Sequence, residues 1–136
     1  MIDLFAQFAT DETAENEGVW VPLGDSEFLI ARTGNRTYSK KLAAAFKSNQ
    51  RALDAGDDAA DALSDKIMIS VIADTILLGW RTGEVNSVLY QGETLAYTKE
   101  AAKKVLAHKD FRRQVMNWAE DMGRYKAVKD EDLAKN

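Results

Sequence analysis

Few residues in this chain are of a type that could do chemistry. His108 is the single histidine among 136 residues, and cysteine is absent. A zinc site would then rest almost entirely on carboxylates, a poor ligand set for that ion. A lone histidine also lacks the paired nucleophile and orienting group that acyl-transfer chemistry needs. It reads as a surface or cap residue at the basic junction His108-Lys109. The acids of Asp57-Asp58 and of Glu120-Asp121 are sequence neighbours, which point in different directions on a helix and make no acid–base couple. No GxxxxGK[ST] or GxGxxG stretch is present to cradle a phosphate. The expectation is no catalytic residue, no metal, no cofactor and no enzyme activity. Function is to be sought in surfaces that bind, and Trp20, Trp80 and Trp118 are of the type enriched at interfaces, though each also suits a core.

Composition narrows the partners. Hydrophobic residues make up 46% and charged residues 29%, as in ordinary soluble globular chains. Net charge is −4, unevenly spread. Residues 1–31 hold seven acids and no Lys or Arg, which leaves 18 bases against 15 acids in the remainder. Such a field attracts phosphate weakly at long range, so nucleic acid is not an expected partner. The cluster Lys99, Lys103, Lys104, Lys109, Arg112 and Arg113 reads as a solvated helix face, with a small DNA-binding regulator as a lesser alternative. The start Met1-Ile2-Asp3-Leu4-Phe5 has no basic flank or long apolar run, so no targeting segment is expected. The apolar run at 67–80 is shorter than the roughly 20 residues a membrane span takes, and Asp74 interrupts it.

The elements are read from pattern. The expected fold is α+β and mainly helical: about four helices, an N-terminal β-hairpin, and a short extended or hairpin segment before the C-terminal helices. Residues 1–18 read as a flexible acidic arm or linker, 19–125 as one globular domain and 126–136 as a charged tail. Within the arm, 1–9 suggests a short strand or docking segment and 10–18 a loop or loose linker. Val19–Leu23 and Glu27–Arg32 flank Gly24-Asp25-Ser26, a hairpin signal, with Pro22 at a strand edge or end. Tyr38, Leu42, Ala45/Phe46, Asn49 and Leu53 recur at helical spacing from about Arg36 to Ala55, and Gly56 is a stop. Asp57 is the expected N-cap of the next helix, drawn to about Leu78. Val88-Leu89-Tyr90 and Thr94–Tyr97 flank a turn at Gln91-Gly92. Thr98 and then Asp110 are expected caps for two further helices, the second carrying Phe111, Val115, Trp118, Met122 and Tyr125 on one face.

The run Lys66–Trp80 is apolar on almost every side and must be covered all round. Ala60, Leu63, Ile67 and Val71 form one stripe, and Ile69, Ile72, Ile76 and Trp80 form another. Either the domain wraps both, or one faces a partner. Asp74 inside this run calls for a salt bridge or an exposed edge.

Two sets of segments resemble a known family when taken in order. One is Gly24–Arg32 with Asn35–Leu42 after it; the other is Leu77-Leu78-Gly79-Trp80, then Tyr90–Glu100, then Asp110–Val115. The sequence "helix ending in LLxGW, extended segment with a Gly turn, Y-[ST]-x-E helix, D-F-R helix" resembles the tail assembly chaperones of tailed bacteriophages over about residues 19–125. It departs at Thr82–Val88, which is longer than the family pattern. The resemblance implies a non-enzymatic assembly factor of the host cytoplasm that is missing from the finished virion. It implies binding to the tape measure protein, a long helical chain held soluble until tail tube subunits polymerise around it. Many members come in a short form and a longer form made by ribosomal frameshifting, and the ending Ala134-Lys135-Asn136 can be encoded as a slippery site, so the short form is expected here, with tail tube contact through the longer one. Self-association is a further possibility. The expected contact surface is Ile69, Ile72, Ile76 and Trp80, with Trp118 as a second candidate. The alternative within the same setting is a structural tail or connector protein retained in the particle.

Overall fold

A computed structural model describes residues 1–125. The expected charged tail at 126–136, with its Ala134-Lys135-Asn136 ending, lies outside the described residues. The order is α1 (Leu4–Phe8), α2 (Glu12–Glu17), β1 (Val19–Leu23), β2 (Ser26–Ile30), α3 (Arg36–Ser48), α4 (Gln50–Asp54), α5 (Asp58–Thr75), β3 (Leu77–Thr82), β4 (Ser87–Tyr90), β5 (Glu93–Ala96), α6 (Lys99–Leu106) and α7 (Lys109–Glu120), then a 3-10 turn at Met122–Tyr125. The fold is α+β and mainly helical, with the hairpin ahead of the long helices as the pattern requires.

Two small antiparallel sheets carry the strands. β1, β2 and β3 form one in that order, and β4 pairs with β5. Pro22 lies on the edge strand β1 opposite Glu27, where its missing N–H costs no ladder bond on the open side. The second hairpin turns at Gln91-Gly92, as the Gly signal indicates.

The caps are legible in the chain. Asp57 accepts from the Ala60 amide at 2.9 Å, Thr98 from the Ala101 amide at 2.9 Å and Asn35 from the Tyr38 amide at 2.8 Å. Asp110 is not a cap: His108 holds that position and Asp110 falls in the first turn of α7, where its charge still suits the helix dipole. The helical stretch from Arg36 breaks at Asn49 into α3 and α4.

The amino-terminal segment differs from its sequence reading. Residues 1–9 contain a short helix, because Asp3 accepts from the Phe5 amide at 3.0 Å and supplies an N-cap. Residues 10–18 are not a loose loop but contain α2, capped by Asp11 in the same manner. Glu15 anchors this helix through an ion pair to Arg32 at 3.0 Å and a bond with Thr10. The Asp11 amide donates to the Tyr125 carbonyl at 2.6 Å, and the Arg32 amide to the Glu15 carbonyl at 3.0 Å. Composition suggested mobility; caps and these long-range bonds hold the segment against the sheet.

The larger correction concerns the apolar run. α5 ends at Thr75, and Leu77 and Leu78, drawn from the sequence as the end of that helix, open strand β3 (Leu77–Thr82). Thr75 turns its hydroxyl back onto the Val71 carbonyl at 2.7 Å, and β2 offers an open antiparallel edge to the residues after Ile76. Apolar residues on every side serve a buried helix and a central strand equally well, so periodicity does not separate them. α5 sits against α3, α4, α6 and β3, which cover it from several directions.

The core gathers Val21, Phe28 and Ile30 from the hairpin with Ile67, Val71, Ile72 and Ile76 of the α5 region. Leu77 and Trp80 of β3 join them, as do Leu106, Val115 and Trp118 from the C-terminal helices. Asp74 meets Lys99 at 3.4 Å and Lys41 at 3.9 Å, the salt bridge its setting called for. No helix among the described residues is long and apolar enough to cross a membrane.

Candidate functional site

The residues expected to form a contact surface are in the core. Ile72 and Ile76 are 0% exposed, and Trp80 is 1% exposed. Trp118 is buried and Ile69 is half-buried. This is a correction to the sequence-derived face: Ile72, Ile76 and Trp118 are withdrawn from a partner touching the folded chain, and Trp80 is met only at the bottom of a groove. The change of α5 into β3 at Ile76 is the physical cause. It removes Ile76 and Trp80 from a common helical stripe with Ile69 and Ile72, and turns Trp80 under the second hairpin.

Trp80 nevertheless helps build the site that is open. Between the ends of the two hairpins and the α6–α7 wall lies a groove of about 580 Å³. Phe28 and Trp80 form its floor; Val88, Val105 and Phe111 line it; Leu23, Val85 and Leu89 stand at its rim. Those three rim residues are 53%, 60% and 75% exposed respectively, apolar surface left open by the described residues.

The floor is rigid for identifiable reasons. Trp80 donates from its indole N–H to the Leu95 carbonyl at 3.0 Å and stacks edge-on against Tyr97 with ring centres 5.1 Å apart. Tyr97 in turn donates to the Leu77 carbonyl at 2.6 Å. Burial, and then the charge of Asp74, hold the Tyr97 hydroxyl above its ordinary pKa, so it remains a donor. Phe28 packs against Trp80, Phe111 and Trp118 with ring centres 6.3, 5.6 and 5.8 Å apart, spacings typical of favourable aromatic pairs. Ser26 and Thr82 share a hydroxyl bond of 2.9 Å, and Thr82 also donates to the Ser87 carbonyl at 2.8 Å. These bonds tie the lip of the first sheet to the start of the second hairpin.

Polar groups are confined to the edges. Tyr90 lines the groove and bonds His108 Nε2 at 2.6 Å, while Lys104 lies 5.3 Å from the Tyr90 ring centre. His108 is exposed and has a half-buried tyrosine for a partner, as a surface residue would. Trp20 sits on the first sheet under the Arg81 guanidinium at 3.7 Å, and Arg81 pairs with Glu27 at 2.9 Å. Among the described residues no group of three His, Cys, Asp or Glu side chains could hold a metal ion. The arrangement is suited to taking up an apolar side-chain stripe.

The groove was not visible in the sequence because its residues are separated by up to about ninety positions and each alone is ordinary. The one available signal was Val85 and Leu89, apolar residues in a turn-rich stretch where nothing in the local pattern buries them.

A family model described as YdaY prophage protein matches residues 33–136. The chain belongs to this prophage family. It is therefore phage-derived. The match takes in β3, both strands of the second hairpin and the α6–α7 wall, so most of the groove lies within the YdaY segment, whereas Leu23 of its rim and Phe28 of its floor lie before it. No curated protein and no solved structure matches the chain significantly.

Proposed function

We propose that this YdaY-family chain is a tail assembly chaperone that binds the phage tape measure protein, with the groove as the place where client helices dock. The observation that carries the reading is an open apolar groove, rimmed by Leu23, Val85 and Leu89, on a prophage-family chain. The ordered motifs that resemble tail assembly chaperones support it independently.

The physics is helix-in-groove recognition. A long helical client exposes apolar stripes before the tail tube encloses them, and exposed stripes of that size aggregate. A groove with a stiff aromatic floor accepts an apolar anchor from such a stripe, and the rim leucines and valine cover the flanking turn. The rigid floor means that little side-chain entropy is lost on binding. Action takes place in the host cytoplasm, and the protein is left out of the assembled particle; mass spectrometry of purified particles should find it absent or at trace level.

The direct test is co-expression with the tape measure protein of the same prophage. The parent chain should keep the client in the soluble fraction. Val85→Asp/Leu89→Asp changes only exposed side chains and should lose that effect while keeping the parent's melting curve. Equal solubilisation by this folded variant removes the groove from the proposal. An insoluble client with the parent chain present removes the chaperone itself.

A further inference from the structure

A second apolar surface lies at the other end of the first sheet. Ile2, Leu4, Phe5 and Phe8 of the amino-terminal arm are all exposed, Phe5 at 82% and Phe8 at 59%, and α1 buries no residue. The chain therefore carries an apolar peg and an apolar groove, and in the folded monomer neither fills the other. No arm residue lines the groove.

We propose that the groove of one copy receives the arm of a second copy, so that the free protein is an arm-exchanged, two-fold dimer. In the folded chain the arm and the groove lie at different ends of the first sheet. The arm joins the sheet at the Val19–Ile30–Leu77 end, fastened there by the Asp11, Glu15 and Arg32 contacts. The groove opens at the Leu23, Ser26 and Thr82 end. Four residue steps along β2 separate these ends, roughly 13 Å at strand rise. Two copies lying antiparallel bring each arm beside the other's groove, and a two-fold axis makes both contacts at once and closes the assembly.

Charge agrees with this pairing. Residues 1–17 carry five acids and no Lys or Arg. Of the six Lys or Arg on the α6–α7 wall, Lys104 stands at the groove edge over Tyr90, whereas Lys99 pairs with Asp74, Lys103 with Glu100 and Arg112 with Asp65. Area agrees as well. Phe5 and Phe8 of two arms, 82% and 59% exposed, bring roughly 400–700 Å² of aromatic surface to the contact. Adding the groove walls they cover brings the total to roughly 800–1,400 Å², which reaches the lower end of the range for a stable complex.

The inference does not rest on the chaperone reading, and its experiment contains no tape measure protein. Purified full chain is followed by sedimentation or light scattering through a dilution series. A concentration-dependent dimer is expected. Phe5→Asp/Phe8→Asp should raise its dissociation constant by about tenfold or more, as loss of central anchors does, and Val85→Asp/Leu89→Asp should do the same. All these side chains are exposed, so both variants should keep the parent's circular dichroism and melting temperature. Mixing the two variants restores one intact arm–groove contact, and the mixed pair should associate more tightly than either variant with itself. A parent chain that is monomeric at every concentration overturns the proposal. So does a dimer indifferent to the arm variant, or a mixture no tighter than its components.

Discussion

Tyr125 shows how much a single side chain beyond the last helix can carry. It is fully buried and donates from its hydroxyl to the Ile30 carbonyl at 3.0 Å, closing the chain's last described turn over the first sheet. Burial is the main cause that pushes its pKa up to about 12, with Arg124 and Arg32 acting the other way. Burial raises Tyr38 and Tyr97 in the same direction. The folded chain therefore holds these protons at pH values where the unfolded chain, titrating near pH 10, has begun to release them. The contribution of Tyr125 to stability is intact below about pH 10 and is lost as pH rises towards about 12, and those of Tyr38 and Tyr97 fall in the same direction. Melting temperature should fall steeply across that interval, and Tyr125→Phe should flatten the fall while lowering the neutral-pH value through loss of the hydroxyl bond. An equally steep fall in the variant would locate the alkaline sensitivity elsewhere. Ile72 and Ile76 give the residue-scale contrast with the rim. An aspartate at either 0%-exposed position places an unpaired carboxylate in the core and should unfold the chain, whereas Leu89→Asp, at a position 75% exposed, should leave the melting curve within about 0.5 kcal/mol of the parent.

At the scale of elements, the two glycines that bracket the first sheet behave differently. Gly18 ends α2 with φ at +89°, and a Cβ there would stand 3.0 Å from the Ile30 carbonyl oxygen and 3.1 Å from its carbon. It is required both for its left-handed backbone and for the close approach that admits β1 to the sheet. Gly79, inside the Leu77-Leu78-Gly79-Trp80 motif of β3, has an ordinary φ and would meet only Leu29 and the Trp20 ring at 3.7 Å. Gly18→Ala should lower the denaturant midpoint clearly. Gly79→Ala should leave it unchanged or raise it, by up to about 1 kcal/mol, through the reduced freedom of the unfolded chain. A large loss at Gly79 would mean that the strand does not lie flat against Trp20. The motif that marks the family-like pattern thus sits where a helix gives way to a strand. Its glycine is not a helix stop.

For the whole molecule, two unfilled apolar surfaces at opposite ends of one sheet set the behaviour. If client helices and the exchanged arm share the groove, Phe5→Asp/Phe8→Asp should leave tape measure solubilisation intact or improve it, measured as soluble client per mole of protein. Loss of solubilisation in that variant would assign the client to the arm instead. What the sequence alone determined was local. Asp57 and Thr98 declare their helices, the Gly24-Asp25 and Gln91-Gly92 pairs declare their hairpins, and Asp74 in an apolar run declares its need of a salt bridge or an exposed edge. Each rests on contacts within a few residues or on one unavoidable electrostatic need. Tertiary structure alone decided that Ile76 ends a helix, that Trp80 is a floor and no contact face, and that Val85 and Leu89 rim a groove. These outcomes depend on β2 offering a free edge and on two hairpins and two helices meeting in space. An apolar residue reports that it must be covered; only the assembled fold determines by what.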